Sequence, residues 1–189
     1  MQYAPVFIPL GVLFLLGLFV IANYNRFARV RQHLLESWSD IDVEMRRRYE
    51  LIPNLLACVK GYAAHEKEVL SEIAELRTRA SQSHGTPTQQ GVDETALAIG
   101  MKKLFALVEG YPQLKSDTQF LALQTELANT EDRIAAARRF YNGNVREMNQ
   151  LCESFPSNVI AGMFGFERAD YFELASEAER VVPRVSLKS

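Results

Sequence analysis

A nearly continuous apolar run near the N-terminus limits what this chain can fold into more than any other feature. Residues 5–22 read PVFIPLGVLFLLGLFVIA, and the first charged side chain is Arg26. A helix needs roughly 20 apolar residues to cross the ~30 Å hydrocarbon layer of a membrane. The run therefore predicts a transmembrane helix, and it makes the lipid bilayer a partner of residues 5–22.

The flanks of the run predict a permanent anchor rather than a cleaved signal peptide. A signal peptide carries positive charge before its apolar core and small residues after it, whereas here the front is uncharged and NYNRFARVR follows. Arg26, Arg29 and Arg31 come directly after the run, and positive residues beside a span are retained on the cytoplasmic side. Tyr3 and Tyr24 bracket the run, as amphipathic rings do at the two headgroup levels. We expect the N-terminus outside and the remaining chain in the cytoplasm.

Beyond the anchor, apolar residues recur at steps of three or four, which predicts amphipathic helices. Pro53 is expected to kink or break the first long helix, because its ring removes a donor and crowds the carbonyl of Tyr49. The stretches ASQSHGTPTQQG and EGYPQLKSD predict surface loops. Asp93 is predicted to cap the helix after the first loop, and Asp117 or Ser116 the last long helix.

The periodicity predicts an all-α fold, because no alternating run bounded by turn signals indicates a strand. Amphipathic helices without a sheet must bury their apolar faces against one another. We expect the transmembrane helix to continue into a long-helix antiparallel bundle of the four-helix type, with Trp38 in the bundle. The predicted divisions are an outer segment and transmembrane helix at 1–25, the bundle at 26–181 and a tail at 182–189.

Composition and motifs argue against nucleic-acid binding and against catalysis. The chain has 21 Lys and Arg against 23 Asp and Glu, so it lacks the basic field that nucleic acid selects. AHEKEV begins like a zinc-protease helix, but Val69 stands where the second histidine belongs. We predict no catalytic residue, metal, cofactor or nucleic-acid partner. A hydrolase that uses His65 and Glu66 is the least favoured alternative, because no nucleophile motif accompanies them.

Other charged and titratable side chains are interpreted as structural. His33, His65 and His84 share no metal-ligand spacing, and we expect them to face solvent. The three arginines at 46–48 are expected to pair with carboxylates on neighbouring helices or to meet a partner protein, with simple solvation as the default.

The second most apolar stretch, FPSNVIAGMFGF at residues 155–166, is too short to span a membrane. Pro156 is expected to end the preceding helix, and Ser157 or Asn158 to cap a short new turn. Gly162 and Gly165 permit close backbone approach or a positive φ angle.

This stretch is the candidate interaction site. It holds more apolar surface than one turn can hide, so it either closes the end of the bundle or forms a contact patch, and closure is the favoured alternative. The candidate residues are Phe155, Pro156, Ser157, Asn158, Ile160, Gly162, Met163, Phe164, Gly165 and Phe166.

Two long segments and the N-terminal run resemble the LemA family of bacterial membrane proteins. The segments are SWSDIDVEMRRRYELIPNLLACVKGYAAHE and ARRFYNGNVREMNQLCESFPSNVIAGMFGF, and the similarity covers almost the whole chain in the same order. The resemblance implies one N-terminal transmembrane helix in the bacterial inner membrane and a cytoplasmic domain like a four-helix bundle. It implies no enzymatic activity. Family members are often associated with membrane proteases of the HtpX type, and relatives take part in magnetosome formation.

The absence of catalytic motifs beside a long helix and an apolar C-terminal segment predicts a membrane-anchored scaffold or interaction protein that self-associates. The alternative, implied by the resemblance alone, is an adaptor or regulator of a membrane protease or of other envelope-maintenance machinery. A membrane-protein partner is therefore a second expectation beside self-association.

Overall fold

A computed structural model describes residues 4–174, with side chains from residue 10 onward. Within these residues the chain forms helices and no strand, which confirms the predicted all-α bundle with a long apolar N-terminal helix. Tyr3, residues 175–181 of the predicted bundle and the predicted tail at 182–189 lie outside the described residues. The helices are α1 (Ala4–Tyr62), α2 (Lys67–Ser81), α3 (Pro87–Val108), α4 (Pro112–Lys115), α5 (Thr118–Glu153) and α6 (Ser157–Phe164).

The N-terminal part of α1 presents apolar side chains outward on all sides. From Leu10 onward, α1 is long and apolar enough to cross a membrane. Its large apolar side chains between Leu10 and Phe19, and that of Ile21, are 40–67% exposed, whereas Val20 is half-buried. Exposing that much contiguous apolar surface to water would be unfavourable in free energy, whereas exposing it to lipid would not. The helix therefore has the length and surface that a bilayer requires.

α1 continues through Pro53 to Tyr62, so the predicted break at Pro53 is wrong. Proline has no N–H to donate to the carbonyl of residue 49, which would leave that acceptor without its helical partner. The Nε of Arg77 on α2 donates to the Tyr49 carbonyl oxygen at 2.9 Å. A side chain from the neighbouring helix thus satisfies the backbone group that proline releases.

The Arg77 bond gives a testable coupling with Pro53. Arg77→Met keeps the aliphatic stem but removes the donor, and we expect it to lower the free energy of unfolding by about 1–2 kcal/mol. In a Pro53→Ala background, residue 53 again donates an N–H to Tyr49, so the same Arg77→Met change should cost less. A double-mutant cycle by urea denaturation measures the difference. Equal costs in the two backgrounds would contradict this account.

α3 begins two turns earlier than predicted. Thr86 precedes it, and the Thr86 hydroxyl accepts from the Gln89 backbone N–H at 3.3 Å. The Gln89 side chain in turn accepts from the Thr86 N–H at 3.1 Å, which completes a reciprocal capping box. Asp93, the predicted cap, lies inside α3 and pairs with Arg79 at 2.8 Å. The prediction that Asp93 caps this helix is wrong, because Pro87 begins the first helical turn and Thr86 occupies the cap position.

Asp117 caps α5, as one of the two predicted alternatives stated. Its Oδ1 accepts from the Phe120 backbone N–H at 2.9 Å, and its Oδ2 accepts from the Tyr62 hydroxyl at 2.9 Å. These donors favour the ionised carboxylate, so the Phe120 N–H first and the Tyr62 hydroxyl next hold the pKa of Asp117 below its ordinary value.

The lowered pKa of Asp117 predicts the sign of a pH effect on stability. A carboxyl whose folded pKa is depressed stabilises the fold above its unfolded pKa and loses that contribution as pH falls through the folded value. We therefore expect Asp117→Asn to be less stable than the wild type at pH 7, with a difference that shrinks below about pH 4. Urea denaturation of both proteins at pH 7 and below about pH 4 measures the difference in their free energies of unfolding. A difference that does not change between the two pH values would overturn the assignment.

The chain divides into two compact units. Among the described residues, unit 1 comprises residues 4–36 with 141–169, and unit 2 comprises residues 37–140 with 170–174. Residues of α1 and α5 contribute to both units. Apolar side chains from all five of the helices α1 to α5 are buried in unit 2, and they include Ile41, Ile52, Ile73, Leu97, Met101, Leu104, Leu114, Phe120 and Leu127.

Residues that follow α6 in the chain complete the core of unit 2. Phe172 is buried, and its ring meets the Trp38 ring edge to face at a centroid distance of 5.4 Å. A Cβ atom at Gly91 of α3 would lie 2.4 Å from the Glu173 carbonyl oxygen, so only glycine allows this close approach. Trp38 therefore packs within the helical domain, as the sequence predicts.

Candidate interaction site

The candidate segment at 155–166 follows α5 and comprises a short connection, the helix α6 and the two residues after it. The Ser157 hydroxyl lies 2.8 Å from the Leu151 carbonyl oxygen and 2.9 Å from that of Ser154, so it binds the C-terminal end of α5. Pro156 occupies the N-cap position of α6, and no side chain caps that helix. The prediction that Ser157 or Asn158 caps the turn is therefore wrong, because the Ser157 hydroxyl is used one turn back.

A glycine in the left-handed conformation ends α6. Gly165 has a φ angle of 71°, and the Phe166 N–H donates to the Ala161 carbonyl oxygen at 3.0 Å. This arrangement satisfies a carbonyl at the end of the helix and turns the chain back. Gly165 thus has the positive φ that the sequence analysis proposed, whereas Gly162 lies within α6.

One face of α6 belongs to the apolar core of unit 1. Ile160 and Ala161 are buried in a cluster with Phe27 and Val30 of α1 and Met148 and Leu151 of α5. Phe166 packs against this cluster, and its ring stacks on that of Phe27 at a centroid distance of 4.6 Å.

The other face of α6 and the connection before it are open. Phe155 is 83% exposed, Met163 67%, Val159 51% and Phe164 47%. Asn158, Pro156 and Gly162 are also exposed. The segment is thus divided: some of its apolar residues pack into unit 1 and the others do not.

Hydrogen bonds between the Asn149 side chain and the Ala169 backbone hold the chain that leaves α6. The Asn149 Nδ2 donates to the Ala169 carbonyl oxygen at 3.0 Å, and its Oδ1 accepts from the Ala169 N–H at 2.8 Å. Asn149 is buried, so these bonds replace the water that its amide loses. Asn149 is not among the site residues predicted from the sequence. The sequence feature that could have identified it is an amide beside Met148 on the apolar side of a long helix, where burying an unpaired polar group would be costly.

A buried ionic cluster joins three helices of unit 2. The Arg48 side chain is 2% exposed and forms ion pairs with Glu94 of α3 and, at 3.2 Å, with Glu131 of α5. The Tyr49 hydroxyl donates to Glu94, whose side chain is 3% exposed. Burial raises the pKa of Tyr49 above its ordinary value, although the Arg48 charge opposes the shift.

The arginines at 46–48 all pair with carboxylates. Arg46 binds Asp42 one turn earlier at 2.8 Å, and Arg47 binds Glu126 of α5. The predicted pairing with carboxylates on neighbouring helices holds for Arg47 and Arg48, whereas Arg46 pairs within α1 and its side chain is 71% exposed.

Unit 2 contains a polar groove. It has a volume of about 640 Å³ and is lined by residues of α1, α2 and the start of α3, among them Arg46 and Arg77. Both of these cations already bind protein oxygens, as described above. Within residues 4–174, no group of three or more His, Cys, Asp or Glu side chains is arranged to hold a metal ion.

The histidines and cysteines show no shared chemistry. His33, His65 and His84 are exposed. Glu66 directly precedes α2, and its carboxylate accepts from the Tyr111 hydroxyl at 3.3 Å. Cys58 and Cys152 are free thiols. The hydrolase alternative at His65 and Glu66 therefore gains no support from the geometry.

Comparisons with known proteins give one consistent result. A family model described as the LemA family matches residues 37–187. Magnetosome protein MamQ 2 of Paramagnetospirillum magneticum is 27% identical over 179 residues, which cover 82% of this chain and 66% of that relative. Magnetosome protein MamQ of Magnetospirillum gryphiswaldense is 23% identical over an alignment of 193 residues. That alignment covers 88% of this chain and 71% of that relative. Protein LemA of Metamycoplasma hominis is 27% identical over 161 residues, which cover 85% and 73%. The chain thus spans just under two thirds of the length of the first of these relatives.

Proposed function

The chain belongs to the LemA family, and we propose that it is a membrane-anchored, non-enzymatic scaffold that self-associates through its helical domain. The observation that carries the anchoring is the exposed apolar surface of α1 from Leu10 to Ile21. The arginines Arg26, Arg29 and Arg31 that follow it are exposed as well. By the positive-inside rule, they favour a single pass through the inner membrane with the helical domain in the cytoplasm.

A reporter fusion tests this topology. A green fluorescent protein joined to the C-terminus should fluoresce in bacterial cells, because this protein folds productively in the cytoplasm, whereas a secreted alkaline phosphatase at the same position should be inactive. The opposite pair of results would place the domain outside and reject the proposed orientation.

Self-association is supported by an apolar stripe on α3 of unit 2. Val92 is 64% exposed and Ile99 is 38% exposed, although α3 buries a separate face in the core. The two residues lie seven positions apart, so they share one side of the helix, and exposed Ala106 continues the row. An apolar row at this spacing is the kind of seam through which helices of separate chains pair.

The mass of the full-length protein in detergent micelles or nanodiscs tests self-association. We expect light scattering to give a multiple of the chain mass for the wild type and a lower mass for the double variant Val92→Lys, Ile99→Lys. Val43→Lys is the matched control, because Val43 is 60% exposed on α1 of the same unit. A strict monomer that captures no other protein would reject the scaffold. Capture of a membrane protease by a monomer would favour the adaptor alternative.

A further inference from the structure

α6 lies beside the end of the apolar run of α1. The Tyr24 ring meets the Phe164 ring at a centroid distance of 5.0 Å and the Phe166 ring at 5.7 Å, edge to face in both pairs. Val20, within the apolar run, packs against the cluster that contains Ile160. Residues 20 and 24 are about 6 Å apart along a helix that rises 1.5 Å per residue. The Val20 and Tyr24 contacts therefore lie within one turn of Ala22, where the apolar run ends.

The open face of α6 has the composition of a membrane-contacting surface. Residues 154–166 contain no charged side chain. Val159 and Met163 lie four positions apart on α6, so they share one side of the helix, and Phe155 lies in the connection before it. All three side chains are more than half exposed. Phe164 adds an aromatic ring beside Tyr24, and aromatic rings are enriched at the headgroup level.

We propose that α6 lies in the membrane–water interface and inserts Phe155, Val159, Met163 and Phe164 into the lipid. The inference rests on the proposed anchoring of α1, because the position of α6 is fixed relative to that helix. An exposed apolar patch needs an apolar occupant, and the proposed span of α1 places the bilayer beside Val20 and Tyr24, which pack against this segment. Interfacial helices bury their apolar face about 5–10 Å into the boundary between headgroups and acyl chains. The chain would thus hold the membrane at two points, one spanning and one interfacial.

Hydrogen bonds at both ends of α6 and a turn at Gly165 hold the helix in this position. Its N-terminal end is joined to α5 by the Ser157 hydroxyl, and its C-terminal end is turned by Gly165. Asn149 then fixes Ala169 a few residues later. A helix of 8 residues that is preorganised in this way loses little conformational freedom when it enters the interface.

Spin labels on the full-length protein in vesicles of phosphatidylcholine and phosphatidylglycerol test the proposal. In a background with Cys58→Ser and Cys152→Ala, a nitroxide is attached through Met163→Cys or, as an independent site, Val159→Cys. Leu35→Cys is the control in unit 1, because Leu35 is also exposed and apolar but lies thirteen positions beyond Ala22. Phe14→Cys reports on the anchor itself. Circular dichroism verifies that each labelled protein keeps its helix content.

Collision rates with oxygen, which partitions into lipid, and with a water-soluble nickel chelate distinguish the outcomes. We expect the ratio of oxygen to nickel collisions at residues 159 and 163 to exceed that at residue 35 several-fold and to approach that at residue 14. If residue 14 is in lipid but residues 159 and 163 resemble residue 35, the interfacial contact is wrong and the anchor stands. If residue 14 also resembles residue 35, the proposed anchor fails and the inference fails with it. Spin–spin broadening at residue 163 that disappears on dilution with unlabelled protein would assign the face to a second copy and overturn the proposal.

Discussion

Arg48→Met is expected to destabilise unit 2 by about 3–5 kcal/mol. The Arg48 and Glu94 side chains are 2% and 3% exposed, so removal of the guanidinium leaves the Glu94 carboxylate buried without its ion pair. Water cannot reach that carboxylate to replace the lost partner, and an uncompensated buried charge is costly. Urea denaturation followed by the fluorescence of Trp38, which lies in the same unit, measures the effect.

Arg47→Met is the matched control for the Arg48 variant. It removes the same chemical group from the adjacent position of α1, but Arg47 and Glu126 are 45% and 38% exposed. We expect a loss below about 1 kcal/mol, because solvent screens an exposed pair and replaces it readily. The double variant Arg48→Met, Glu94→Gln should recover part of the stability, since no unpaired charge remains buried. Similar losses of stability for Arg47→Met and Arg48→Met would show that the contribution of the Arg48 ion pairs to stability does not depend on their burial.

Phe27→Ala is expected to lower the free energy of unfolding of unit 1 by about 3–5 kcal/mol. Phe27 is fully buried and stacks on Phe166, so its removal leaves a cavity between α1 and the chain that follows α6. Hydrogen–deuterium exchange at residues 155–169 measures the effect locally, because α6 should open more often when its supporting ring is missing.

Phe155→Ala separates a core role from a surface role in the same unit. Phe155 carries the same side chain as Phe27 but is 83% exposed, so we expect its loss to change stability by less than about 0.5 kcal/mol. Phe164→Ala should fall between the two, because Phe164 is half exposed and contacts Tyr24. A Phe155→Ala effect as large as that of Phe27→Ala would mean that the connection before α6 is part of the core.

The architecture follows from patterns that the sequence displays directly. The apolar run of residues 5–22 has a length that few structures other than a membrane span require. The apolar repeats at steps of three and four predict helices because each helix must bury one face. The Asp117 cap follows from its place before the last long helix, and the positive φ of Gly165 from the absence of a side chain.

The remaining features depend on contacts between distant residues, which no local pattern reveals. α1 passes through Pro53 because Arg77, on another helix, supplies the missing donor. Glu94 lies on the buried side of α3, where its charge is tolerated only because Arg48 comes from α1. The sequence presented core closure and surface contact as alternatives for residues 155–166. A helix has two faces, however, and in α6 one is buried while the other is exposed.

Co-capture from intact membranes tests the self-associating scaffold most directly. Two copies of the full-length chain with different C-terminal affinity tags would be expressed together at low level, crosslinked before extraction, and purified through one tag. The account predicts that the second tag is recovered as a crosslinked partner, and that recovery falls for Val92→Lys, Ile99→Lys but not for Val43→Lys. Recovery of the first tag alone, as a chain without a crosslinked second copy, would contradict the account.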